Sequence, residues 1–150
     1  MIGVCNDGKE GLEATDGFPL GAWIHVEAPD EAAIGRMGTE LGVPRGCLAA
    51  GLDPREVART DSQKDMHLVI VRAPYDFGDE VSTPFRTVPL AMIVLPNYFL
   101  TICRKPIDFV RDLNYTYDEQ ELVTRRAAQM IIALLGVVGE WFLLYLEAVS

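Results

Sequence analysis

Polar and apolar positions along this chain sort into short alternating runs, two helical stripes and one long apolar stretch. Residues 22–27 (AWIHVE) alternate, with Trp23, His25 and Glu27 on one face and Ile24 and Val26 on the other, the mark of a strand. Pro29-Asp30-Glu31 opens a helix, because proline and acidic groups suit a first turn. Ile34, Met37 and Leu41 recur at helical spacing along it, and Gly42 stops it. Pro44 opens a shorter helix with Cys47, Leu48 and Leu52 facing inward. That helix ends at Asp53-Pro54, since a residue before proline avoids helical angles.

Residues 55–65 (REVARTDSQKD) are polar and read as exposed. Residues 67–73 (HLVIVRA) form a nearly continuous apolar run of the buried-strand kind, which Pro74 ends. After a turn at Asp76-Phe77-Gly78-Asp79, residues 87–95 (TVPLAMIVL) make a second buried strand with Pro89 near its start. Pro96-Asn97 turns the chain into 98–103 (YFLTIC). Connections this short do not allow crossovers, so these three strands form an antiparallel meander. Arg104-Lys105-Pro106 closes the set, and a helix over 107–113 turns Ile107, Val110 and Leu113 inward. The first 20 residues read as a weak strand pair, 1–5 and 12–15, joined at Asn6-Asp7-Gly8 and ended by the Gly17–Gly21 break.

From Ala127 to Leu146 the chain is almost wholly apolar, interrupted by Gln129 and Glu140. About 20 apolar helical residues cross a bilayer core, so the stretch fits either a buried helix of a soluble domain or a tail anchor. Asp118 caps its start with Glu121 at capping-box spacing, and Gly136 and Gly139 suit close helix packing in either setting. In a membrane, Arg125 and Arg126 would mark the cytoplasmic side. The element order, strand, two helices, three strands and then helices, predicts an α/β domain: a mixed sheet in an α/β/α layered sandwich that ends in a long C-terminal helix over 119–150.

At 150 residues the chain fits one domain with a core of its own. A net charge of −9 argues against nucleic acid as a partner and suits plain solubility. Cys5, Cys47 and Cys103 are far apart and odd in number, which reads as reduced intracellular thiols. Met1-Ile2-Gly3-Val4 runs straight into polar residues, unlike a signal peptide, and a cytosolic placement follows.

Catalytic patterns are lacking. His25 and His67 each sit in a strand pattern, with no HExxH and no cysteine at zinc spacing, and read as structural or surface residues. Gly35, Gly38, Gly42 and Gly46 do not follow a strand in dinucleotide order. Asp76, Asp79 and Glu80 read as a solvated face, and Asp-Phe-Gly stands without the other kinase parts. The residues by themselves describe an acidic α/β domain with no catalytic constellation.

Their order carries more. Trp23-Ile24-His25-Val26 and Pro29-Asp30-Glu31 are followed by Leu41-Gly42-Val43-Pro44 and Leu52-Asp53. Then come Leu68-Val69-Ile70-Val71-Arg72-Ala73-Pro74, Pro89-Leu90-Ala91-Met92-Ile93-Val94-Leu95, Asn97-Tyr98-Phe99-Leu100-Thr101-Ile102 and Arg104-Lys105-Pro106. Leu134-Leu135 and Tyr145-Leu146-Glu147 complete the series. This succession, over residues 21–150, resembles the amino-terminal cytoplasmic domain of the CorA-type magnesium and divalent-cation transporters. Each motif is diffuse; their order and spacing are specific.

The resemblance implies a regulatory domain that contributes to subunit assembly and gating and does not itself conduct ions or catalyse a reaction. No cofactor is required, and Mg2+ or another divalent cation is the transported or regulatory ion. The expected partners are further copies of the chain, a pentamer in the full transporter, and the membrane through a stalk, two spans and a Gly-Met-Asn signature beyond Ser150. The full protein is expected at the cytoplasmic face of the cell membrane, this part of it being soluble. Family members often carry an acidic pair in the second short helix, where this chain has Ala49-Ala50, so Asp53 is the nearest candidate metal contact. Two other readings stand beside this one: a stand-alone tail-anchored membrane protein, and an α/β domain that binds a small molecule in a concave, polar pocket.

Overall fold

The computed structural model describes residues 2–5, 13–14, 17–78, 82, 85–107 and 123–149. Its strands are β1 (Ile2–Cys5), β2 (Glu13–Ala14), β3 (Trp23–Glu27), β4 (Arg59–Gln63), β5 (Met66–Asp76), β6 (Phe85–Val94) and β7 (Phe99–Cys103). Its helices are α1 (Glu31–Leu41), α2 (Arg45–Ala50) and α3 (Val123–Val149). The expected helix beyond Ile107 and the cap at Asp118 and Glu121 lie outside the described residues.

The strands form one mixed sheet in the order β2-β1-β3-β7-β6-β5-β4. The meander β5-β6-β7 is antiparallel as the short turns require, and the N-terminal pair β1-β2 is antiparallel too. The two halves join where β3 runs parallel to β7, Trp23 opposite Phe99 and Glu27 opposite Cys103. Strand periodicity then sorts the side chains into two cores. Ile24, Val26, Leu100, Ile102, Ile70 and Ile93 face α1 and α2. Trp23, Phe99, Cys103, Leu90 and Met92 face α3. The expected α/β/α sandwich is the observed one.

One strand was not expected, and another runs on further than expected. Residues 59–63, read as polar and exposed with no strand assigned, pair with β5 as an edge strand whose every residue is indeed exposed. Such a strand has no buried face and therefore no alternation to read, and its polar side chains suit a sheet edge. β5 also continues through Pro74 to Asp76 and does not stop there. Its pairing with β4 ends at Ile70, so Pro74 lies where one side of the strand is an open edge, the setting that tolerates a missing N–H.

The helix ends follow local chemistry. The Asp30 carboxylate accepts from the Ala33 amide at 2.8 Å as the N-cap of α1. Gly42 ends α1 in the left-handed conformation at φ 72°, its amide donating to the Gly38 carbonyl at 3.2 Å. Gly42→Ala is expected to cost about 1 kcal/mol in urea unfolding, the strain of a side chain at that φ; an unchanged midpoint would show that the turn relaxes.

α3 lies across the second face of the sheet. Ala127, Met130, Leu134 and Val138 form its buried stripe, with Ile131, Val137 and Trp141 partly buried beside it. Leu135 and Phe142 are 45% and 37% exposed. Residues 125–148 are long and apolar enough to cross a membrane by length and composition; here they are docked on the sheet by one stripe and open on the rest.

Candidate functional site

Asp53, the one candidate metal contact from sequence, stands exposed just beyond α2. Its amide donates to the Ala49 carbonyl at 3.0 Å, and its carboxylate accepts from the Arg55 amide at 2.9 Å. It borders a shallow depression of about 280 Å³ with Glu31, Arg45 and Ala49. The Glu31 carboxylate is already engaged by Arg45 at 2.5 Å. Ala49 is exposed on this depression, whereas Ala50 is packed into the core, where a carboxylate would be costly. Asp53 is thus a single outward carboxylate that accepts a hydrogen bond within its own turn.

A second set of polar groups, which sequence spacing did not bring together, lies inside the domain. The parallel register puts His25 beside Thr101 and Glu27 beside Cys103, all on the face under α3. Trp23 Nε1 donates to Thr101 Oγ1 at 2.9 Å. His25 Nδ1 lies 2.6 Å from the same hydroxyl, and His25 Nε2 lies 3.0 Å from Glu27 Oε1. Cys103 Sγ is 4.0 Å from His25 Nε2 and 3.9 Å from the Val26 carbonyl oxygen. His25, Thr101 and Cys103 are fully buried, and Glu27 is 4% exposed. The structural role expected of His25 fits this chain of hydrogen bonds. The expectation that no cysteine pairs with a histidine holds only along the sequence, because His25 and Cys103 are 78 residues apart and the sheet closes that gap. Alternation put His25 and Glu27 on one face of their strand, and nothing in the spacing linked them to Thr101 and Cys103.

The other reactive groups among the described residues stand apart from this cluster. His67 Nδ1 meets Ser62 Oγ at 3.0 Å across the exposed edge pair. Burial pushes the Cys47 thiol up, Asp61 adds to the shift and Arg59 opposes it, so the thiol is a poor nucleophile near neutrality. The hydrogen bond from Arg59 holds the Glu56 carboxyl below its ordinary value. A concavity of about 650 Å³ is lined by Arg72, Arg86, Arg104 and Lys105 with Phe77. Arg72 is committed to structure there, donating to the Pro54, Glu56 and Thr87 carbonyls at 2.6–3.0 Å. Arg86 and Lys105 stand over the Phe77 ring at 4.2 and 5.9 Å.

The outer side of α3 completes the picture. Leu135, Phe142 and Leu146 are exposed, and so is Ile132 at 71%. With Ala128 and Gly139 they recur at alternating intervals of four and three residues, the spacing of a coiled-coil seam, beside the buried stripe; Leu143 and Leu144 are exposed as well.

Residues 21–150 match the family described as CorA-like Mg2+ transporter protein. The cobalt/magnesium transport protein CorA of Methanocaldococcus jannaschii is 28% identical over 80 residues, 53% of this chain and 24% of that protein. Among solved structures, the soluble domain of CorA from the same organism aligns with a TM-score of 0.61 at 23% identity. That alignment covers 73% of this chain and 43% of that one. The complete CorA magnesium transporter from that organism gives 0.59 at 24% identity, covering 73% of this chain and 34% of the other. The full-length CmaX protein gives 0.57 at 14% identity over 98% of this chain and 49% of its own. At these identities the structural likeness speaks for the fold, and the chain spans about a quarter of the curated relative's length.

Proposed function

This chain belongs to the CorA-like Mg2+ transporter family, and from that premise we propose that it is the cytoplasmic regulatory domain of a divalent-cation transporter, Mg2+ being the first candidate ion. In this reading residues 1–150 are a single domain that helps subunits assemble and gate and neither conducts ions nor catalyses a reaction. The observation that carries it is the two-sided character of α3. One stripe builds the domain's own core, and a second, at coiled-coil spacing, has no cover within the described residues. Helix-on-helix contact with the transporter's stalk or a neighbouring subunit satisfies such a seam.

Sedimentation velocity tests this. The chain is expected to self-associate as its concentration rises, and Leu135→Lys with Leu146→Lys is expected to hold it monomeric. Both residues are exposed, so the substitutions are expected to leave the unfolding midpoint nearly unchanged. A wild-type chain that stays monomeric at high concentration argues against the reading. Asp53 is the proposed outward contact for a hydrated cation; Mg2+ is then expected to promote association of the wild type more than of Asp53→Asn, and an equal response removes Asp53 from the site.

A further inference from the structure

We propose that His25, Glu27 and Cys103 form a buried site for a borderline divalent transition metal, of the zinc or cobalt kind, separate from any site for Mg2+. One donor atom from each lies within 4.8 Å of the others. Two measured separations are 3.0 Å, between His25 Nε2 and Glu27 Oε1, and 4.0 Å, between His25 Nε2 and Cys103 Sγ. Metal–ligand bonds of about 2.0–2.3 Å at tetrahedral angles require separations of about 3.3–3.7 Å. Changes of a few tenths of an ångström bring these two distances into that range.

The charges balance as well. A dication bound by one carboxylate, one thiolate and one neutral imidazole is electrically neutral, the condition for residence in an apolar core. Bound metal displaces the proton of the Cys103 thiol, which leaves to solvent, and takes the Nε2 lone pair of a neutral His25. The imidazole then carries its hydrogen on Nδ1 and donates it to Thr101 Oγ1, 2.6 Å away. That oxygen is placed to accept, because the Trp23 indole, which can only donate, already points at it from 2.9 Å. A second hydrogen bond that fixes the ring and its tautomer is what a metal-ligating histidine needs. A water or the second carboxylate oxygen is left for the fourth position. The donor set also defines the ion. Sulfur and nitrogen suit zinc and cobalt, whereas Mg2+ takes oxygen ligands and keeps several waters.

The test starts from the wild-type chain made in zinc-supplemented medium. About one zinc per chain is expected by elemental analysis, falling to background in Cys103→Ser and Glu27→Gln. Refolding with Co2+ is expected to give a thiolate-to-cobalt charge-transfer absorption that Cys103→Ser abolishes, although Cys47 and Cys5 remain. X-ray absorption of the zinc-loaded wild type, which depends on no variant, is expected to show one sulfur among nitrogen and oxygen donors. A wild type with no zinc above background and no cobalt–thiolate absorption after refolding overturns the proposal. So does a metal content that survives both substitutions, or a ligand shell without sulfur.

Discussion

Replacing His25 with leucine is expected to destabilise the fold by about 3 kcal/mol, the cost of taking the hydrogen-bond partner from a buried carboxyl group. Leucine fills a similar volume, so packing is not the main loss. The loss lies in Glu27, whose carboxylate is 4% exposed and gives up the imidazole 3.0 Å away. Thr101 loses a partner as well, though it keeps the Trp23 indole. The double variant His25→Leu with Glu27→Leu removes the buried carboxylate too. It is expected to recover most of that stability, because apolar replacement of a whole buried pair is often close to neutral. Guanidinium unfolding of the wild type, both single variants and the double variant gives the coupling directly. Additive losses at the two positions would show that they do not act as a pair.

Gly51→Ala is expected to cost about 2 kcal/mol, in the range of overpacked cores. The backbone of Gly51 presses against the sheet where α2 ends. A Cβ there meets the Ala91 Cβ at 2.9 Å, the Ile102 carbonyl oxygen at 3.1 Å and the Ile102 Cβ at 3.3 Å. None of these atoms is the end of a flexible side chain, so β6 and β7 or the end of α2 must move. Its φ of −70° suits alanine, and the penalty is therefore contact and not backbone strain. Gly46, in the same short helix, has open space where a Cβ would go. Gly46→Ala serves as the control and is expected to match or exceed wild-type stability. Equal unfolding midpoints for the two variants would show that the layer above Gly51 yields freely.

Much of this architecture is visible in the pattern of residues because burial has a period. Alternation over 22–27 places Trp23, His25 and Glu27 on one face before any coordinates are known, and the short turns of 67–103 enforce a meander. What stays hidden falls under two physical headings. A strand with no buried face, as in β4, carries no pattern, and a proline beside an open edge, as at Pro74, resembles a strand end. Contacts between distant segments carry no local signal at all, and the parallel closure of β3 on β7 is of that kind. It is also the closure that assembles His25, Glu27 and Cys103, so the polar cluster was beyond the reach of spacing arguments. On α3 the limitation is different. Residues 127–146 are so uniformly apolar that the docked stripe and the outward seam cannot be told apart until the sheet fixes one of them. Asp53 was legible as a turn residue, and its own amide and carboxylate bonds place it in one.

The parallel seam also sets a timetable for making the chain. The parallel partner of β3 is β7, which begins at Phe99. While the ribosome works through the intervening residues, β3 waits with one edge unpaired and apolar side chains on both faces. The meander needs only neighbouring segments and can close as soon as Cys103 has emerged. Pairings that span long stretches of chain form slowly and expose partly folded species to aggregation. The vulnerable interval in the life of this domain is therefore its synthesis, before the second half arrives to receive the first.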